Sequence, residues 1–373
     1  MRVYKTDKRP VRILEPYDGS AMFIASYVLQ ILLQFILMLI LQLTSAADAF
    51  LASTGGTCVL LLLNESAILI TPLAYSKIRA NNLYTQVGFG TKIGVAQILI
   101  AIATAFATIM AFSPIAEAFV WLVRLSGYNV DALTTMQINS AGTLVVGILF
   151  MCVLPAICEE LLYRGMLSRA FGDNGVVKGI LLSAFFFAIM HGNPVQLVHQ
   201  FFLGAVCAVL YYMTRSIWIP VIVHLCNNLY AVVGSYIQFR AGADGSMPVW
   251  GMVLMSVCGL VVLGGLLCLM YRASAKTQNK RERLAAEQGK GKWLRRIRIL
   301  YLTQEEEAVL EREQQALQDE YDACENDETR EMLLVARKEE KARIDRRNRR
   351  ALIYASVLGL AMWAINTISG YIG

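Results

Sequence analysis

The chain has 373 residues, of which 56% are hydrophobic and only 17% charged, with 34 Lys+Arg against 28 Asp+Glu. So few polar side chains cannot cover the surface of a water-soluble domain of this length, so the composition defines a polytopic membrane protein. The eight cysteines (58, 152, 158, 207, 226, 258, 268 and 324) include no C-x-x-C pair and mostly lie in apolar runs, where a thiol behaves as a small hydrophobe. They imply neither a disulfide framework nor a structural zinc site.

In chain order, a basic N-terminal segment (1–20) with Arg2, Lys5, Lys8, Arg9 and Arg12 precedes a first apolar run at 21–46. That run is too long for the core of a signal peptide, although Ala47-x-Ala49 faintly resembles a cleavage site, and it reads as a retained anchor. Further runs at 57–76, 93–113, 140–162, 177–192, 197–214, 217–238, 248–271 and 351–371 bring the expected spans to nine. The expected architecture is all-α: a polytopic transmembrane bundle with three spans over 21–135, a core of four over 136–238, an eighth over 239–271, a charged helical insertion over 272–350 and a ninth over 351–373.

The flanking charges set the orientation. With the N-terminus in the cytoplasm, cytoplasmic loops carry Lys77, Arg79, Lys92, Arg164, Arg169, Lys178, Arg215 and the stretch 272–350, whereas external loops carry only Arg124 and Arg240. Nine spans then put the C-terminal Gly373 outside, in a multi-pass cell-membrane protein.

The stretch 272–350 holds 20 of the 34 basic and 17 of the 28 acidic residues, and Leu310, Leu317, Tyr321 and Cys324 recur at heptad-like spacing. A solvated helical hairpin is expected. Lys290, Lys292, Arg295, Arg296 and Arg298 interleave with Trp293, Leu294, Ile297 and Ile299, a pattern suited to lying on anionic lipid. With a bilayer a few residues away, lipid rather than nucleic acid is the expected anionic partner.

All three histidines, His191, His199 and His224, fall in apolar stretches, just downstream of Glu159-Glu160-x-x-x-Arg164. Ionisable groups at membrane depth are costly to keep and mark functional sites. Glu160 and Arg164 share a helical face, with the acid N-terminal to the base as an ion pair prefers, while Glu159 points about 100° away. One carboxylate is thus placed for structural pairing and the other left to react. His224 and Asn228 are likewise four apart. Counted at about 1.5 Å per residue from the Gly172–Gly175 turn or from Arg215, Glu159 lies ~20 Å, His191 ~24 Å, His224 ~14 Å and Asn228 ~20 Å along their helices, close to one layer. A carboxylate beside an imidazole can hold and deprotonate a water, and a histidine with an asparagine can stabilise an oxyanion, which is equipment for amide hydrolysis. Cys158 and Cys226 adjoin these residues but face elsewhere on their helices.

Glu159-Glu160-x-x-x-Arg164, Phe187-x-x-x-His191 and His224-x-x-x-Asn228, in that order on successive membrane helices, resemble the signature motifs of the CAAX prenyl endopeptidase and bacteriocin-processing family of intramembrane proteases. The resemblance covers about residues 140–238, and spans eight and nine with the charged stretch look like an addition to the common core. It implies Glu159 as general base for water with His191 as its partner, His224 and Asn228 as oxyanion stabilisers, and Glu160 with Arg164 as structural support. His199 has no counterpart in the pattern and is expected to be structural. Glu65, alone in the second span, either packs between helices or lines the substrate cavity.

No cofactor is required by this mechanism. Families of this kind have been suspected of being metalloenzymes, and zinc is the alternative: Glu159, His191 and His224 would supply one oxygen and two nitrogens, although no H-E-x-x-H preforms two ligands on one helix. The expected partners are the bilayer and a membrane-associated substrate: a prenylated CAAX protein, a pheromone or bacteriocin leader, or a membrane-anchored regulator. Outside the enzymes, a proton-coupled transporter also needs Glu and His at membrane depth, but shows inverted repeats that are not visible here. A scaffold recruiting partners through 272–350 would explain that stretch and leave the cluster without a role.

Overall fold

The computed structural model describes residues 4–5, 10–11, 13–44, 47–79, 82–130, 136–241, 247–287, 304–324 and 326–372. The basic segment with Lys290, Lys292, Arg295, Arg296 and Arg298 lies outside the described residues.

The architecture is an all-α polytopic bundle. Its long helices are α1 (Pro16–Leu43), α2 (Thr54–Ile78), α3 (Val95–Leu125), α4 (Ala141–Phe171), α5 (Val176–Met190), α6 (Pro194–Thr214), α7 (Trp218–Ala241), α8 (Val249–Glu287), α9 (Gln304–Asp322) and α10 (Asp327–Ile372). Near the N-terminus Tyr4–Lys5 makes a two-residue antiparallel pairing with Pro10–Val11. Among the described residues eight helices are long and apolar enough to cross a membrane: α1, α2, α3, α4, α6, α7, α8 and α10. The fifth expected span is the exception. Helix α5 has 15 residues, about 22 Å at 1.5 Å per residue, against a hydrocarbon core of about 30 Å.

Lipid-facing surface explains why apolar side chains such as Leu32, Phe35, Leu39, Val253 and Val257 stay exposed; their solvent is the bilayer, in which backbone groups must be satisfied within each helix. Hydroxyls follow the same logic, since Thr71, Thr104, Thr108 and Thr214 each donate to the carbonyl one turn earlier. Between helices, Gln34 of α1 donates to Asn64 of α2 at 2.6 Å, the polar glue that membrane interiors favour.

Two expectations about boundaries need correction. The span placed at 140–162 runs on as helix to Phe171. Arg164 and Arg169, counted above as loop charges, are therefore buried in the bundle, and Arg169 donates to the Gln86 carbonyl. Helix α10 is continuous for 46 residues, so the charged stretch before the last span is that span's own extension, as the end of α8 is of the eighth. Helices α9 and α10 form a hairpin, with Arg337 paired to Glu320 at 2.5 Å and Arg330 stacked 5.3 Å from the Tyr321 ring centroid.

The main core joins α1, α4, α5 and α10: Met22, Phe23, Leu162, Tyr163, Met166, Phe171, Phe186, Phe187, Ile189 and Ala355 form one buried cluster. At the N-terminus of α1, Glu15 pairs with Arg347, whose guanidinium also stacks over Tyr17. The last span is thereby packed against the helix that leads to His191.

Candidate active site

Helix α4 departs twice from α-geometry. π-helical stretches at Ile148–Val153 and Leu161–Leu167 flank Leu154–Glu160, and such bulges often mark functional sites. Pro155 supplies a local cause for the first: having no N–H, it leaves the Met151 carbonyl without its usual donor one turn on. That carbonyl is taken instead by Asn228 of α7, whose Nδ2 donates to it at 2.9 Å.

Around the second bulge lies a charge cluster sealed from solvent. Arg164 Nη1 donates to Glu160 Oε1 at 2.8 Å, and both side chains are 0% exposed. The same oxygen receives His224 Nδ1 at 2.8 Å. A carboxylate held by an arginine can only accept, so Nδ1 carries a hydrogen, and in the neutral imidazole Nε2 then presents its lone pair. That Nε2 points at Glu159 Oε2, 3.7 Å away. The second motif glutamate thus orients the third-motif histidine toward the first.

Aromatic packing holds the guanidinium and both imidazoles. The Phe187 ring lies 4.3 Å from the Arg164 guanidinium carbon, 4.9 Å from the His191 ring and 5.7 Å from the His224 ring. Desolvated cation–π contacts of this kind contribute about 2 kcal/mol. Arg164 fits there because α6 carries Gly204 opposite: a Cβ on Gly204 would stand 3.1 Å from Arg164 Nη2, from Phe187 Cδ1 and from the Ala184 backbone.

His191 sits at the C-cap of α5, followed by Gly192 at φ +69°, and Asn193 caps α6 by accepting from Gln196 N. The left-handed φ suits glycine, whose lack of a Cβ lets the chain reverse at this depth. His191 Nδ1 lies 2.9 Å from the Phe187 carbonyl; a carbonyl only accepts, so His191 too leaves Nε2 as a lone pair. Among the described residues no hydrogen bond or ion pair joins His191 to Glu159, and the Phe187 ring is in edge contact with both histidines.

Two groups that motif reasoning left without a part adjoin the site. Glu65 of α2 is buried beside the Glu159 side chain; its signal in the sequence is a lone acid in an apolar span. His199 Nε2 meets Asn227 Oδ1 at 3.1 Å, and Asn227, beside Asn228, drew no attention in the sequence at all. All eight cysteines are free thiols.

The zinc alternative requires Glu159, His191 and His224 to converge. Among the described residues no three His, Cys, Asp or Glu side chains gather at metal-holding distance. Glu159, His191 and His224 are not brought together as one donor set, so these residues as placed do not fit a zinc site.

Fold and site together define an integral membrane protein with a carboxylate and histidine pair buried in its helix bundle. Residues 141–230 match the Rce1-like family model, described as type II CAAX prenyl endopeptidase Rce1-like, in keeping with the family that the three motifs resemble. The matched segment contains Glu159, Glu160, Arg164, His191, His224 and Asn228. No curated protein and no solved structure matches the chain.

Proposed function

We propose that the protein is an intramembrane endopeptidase of the CAAX type, which hydrolyses a peptide bond of a membrane-associated or lipidated peptide with a water activated by Glu159. The observation that carries this is the facing pair Glu159 Oε2 and His224 Nε2, 3.7 Å apart at the end of the Arg164–Glu160–His224 chain. The separation is too long for a direct hydrogen bond, but a water seated beside the pair reaches both atoms at about 2.8 Å. Both are acceptors, so the water donates its two hydrogens and turns a lone pair outward.

On attack, the water oxygen bonds to the scissile carbonyl carbon, Glu159 takes the proton, and negative charge develops on the carbonyl oxygen. Asn228, one turn from His224 on α7, offers that oxyanion the amide N–H that is not given to the Met151 carbonyl. Collapse breaks the C–N bond, and the leaving amine takes the proton from Glu159; the lone pair at His191 Nε2 offers a second station for that transfer. In this mechanism His224, rather than His191, is the immediate partner of the water. Glu160 and Arg164 do no proton transfer and fix the His224 ring, while Glu65 supports the Glu159 carboxyl.

Counting the short α5 as a crossing that pairs with α6, the N-terminus is placed in the cytoplasm and the C-terminus outside, with α9 and the charged halves of α8 and α10 on the cytoplasmic side, as the excess of basic residues there favours. Comparison of the membrane peptides of cells carrying wild type and Glu159→Ala tests the function. Loss of one cleavage in the variant is the expected result; identical peptide profiles would count against a protease.

A further inference from the structure

We infer that His199 and Asn227 are positioning residues that set the orientation of the Asn228 amide, and so make it a hydrogen-bond donor to the site. The inference rests on the proposed protease function. It stands on a continuous chain of contacts: His199 Nε2 to Asn227 Oδ1 at 3.1 Å, Asn227 Nδ2 to Asn228 Oδ1 at 3.3 Å, and Asn228 Nδ2 to the Met151 carbonyl at 2.9 Å.

The direction of the chain is forced from its far end. A backbone carbonyl accepts only, so Asn228 must present Nδ2 to Met151 and turn Oδ1 to Asn227. Asn227 must then donate with Nδ2, which turns its own Oδ1 to His199, and His199 must donate from Nε2. An asparagine side chain otherwise has two nearly isosteric orientations. In the wrong one Asn228 would offer a carbonyl oxygen to a developing oxyanion and repel it. In the orientation found here one N–H is held by Met151 and the other is free on the face shared with His224. Pro155 completes the device, because it is what leaves the Met151 carbonyl short of its helical donor. The chain thus joins α6, α7 and the first bulge of α4, and explains a half-buried histidine and a buried asparagine that the water-activating groups do not use.

The test uses full-length protein in phosphatidylcholine nanodiscs with two readouts. One is turnover of a quenched-fluorophore peptide ending in a farnesylated CAAX sequence. The other is the Asn228 side-chain amide resonance in protein labelled with ¹⁵N-asparagine, which needs no turnover. In Asn227→Asp the new carboxylate cannot donate, so Asn228 rotates to donate to it; kcat should fall about 10- to 100-fold, a part of the loss from deleting an oxyanion donor, with KM within about twofold, and the Asn228 resonance should move. His199→Leu should do the same. His199→Gln, whose Nε2 overlays the histidine Nε2 and donates, should restore most of the turnover and the wild-type resonance. An Asn228 resonance unmoved in Asn227→Asp, or a His199→Gln protein as impaired as His199→Leu, overturns the relay. Glu159→Gln, measured in parallel, separates the two claims: a fully active Glu159→Gln sinks the proposed function, while the resonance still decides the relay.

Discussion

Replacing Arg164 separates stability from chemistry. In Arg164→Ala the Glu160 carboxylate keeps only His224 Nδ1 as a partner, in a site where both members of the pair are 0% exposed. Removing one partner of a buried ion pair typically costs about 3–5 kcal/mol, because the remaining charge is left uncompensated. The guanidinium stacked 4.3 Å from Phe187 is lost as well, which leaves a void beside the two imidazoles and adds to the cost. At roughly 1–2 °C per kcal/mol for a chain of this length, the apparent melting temperature in detergent should fall by on the order of 3–10 °C, and activity should fall with it. The double replacement Glu160→Leu/Arg164→Leu removes both charges, so it should recover much of the stability. It should remain inactive, since nothing then fixes the His224 ring. Thermal scanning fluorimetry of the purified variants decides. An Arg164→Ala protein that melts with wild type yet is inactive would place Arg164 in the chemistry, and an active double variant would refute the orienting role of Glu160.

Gly204→Val should overpack the Arg164–Phe187 contact, at about 1–3 kcal/mol, and lower both melting temperature and activity, whereas Gly234→Ala, where an added Cβ meets nothing within 4 Å, should change neither. A reporter inserted near Glu306 should lie inside and one fused after Gly373 outside; an internal Gly373 reporter would show that the 15-residue α5 does not cross the bilayer. Elemental analysis of purified protein should find no stoichiometric zinc and prolonged chelation should leave activity intact, while one zinc per chain, with activity restored on adding it back, would overturn the metal-independent mechanism.

The legible and the hidden parts of the molecule divide by range. Hydropathy shows spans because each needs about 20 apolar residues, and the pair Glu160–Arg164 is visible because four residues make one helical turn. The end of α4 was misjudged at 162 for the same reason: Arg164 and Arg169 look like the end of a span unless their buried partners are known. Contacts that join helices leave no periodic trace. That Glu160 serves His224, 64 residues away, that Phe187 packs edge-on against both His191 and His224, and that Glu65 comes to Glu159 are set by packing. The Met151–Asn228 bond was half written in the sequence, since Pro155 announces a free carbonyl but not its taker.

The central claim is that Glu159 is the base, and Glu159→Gln tests it most directly, since the amide keeps the volume and removes only the ability to take a proton. The measurement is the single-turnover rate of the purified, reconstituted variant on the membrane peptide whose cleavage is lost in Glu159→Ala cells, with the melting temperature recorded alongside. The expected result is a rate lower by about 10²- to 10⁴-fold in a protein that melts with wild type; a rate within twofold of wild type would show that Glu159 does not activate the water.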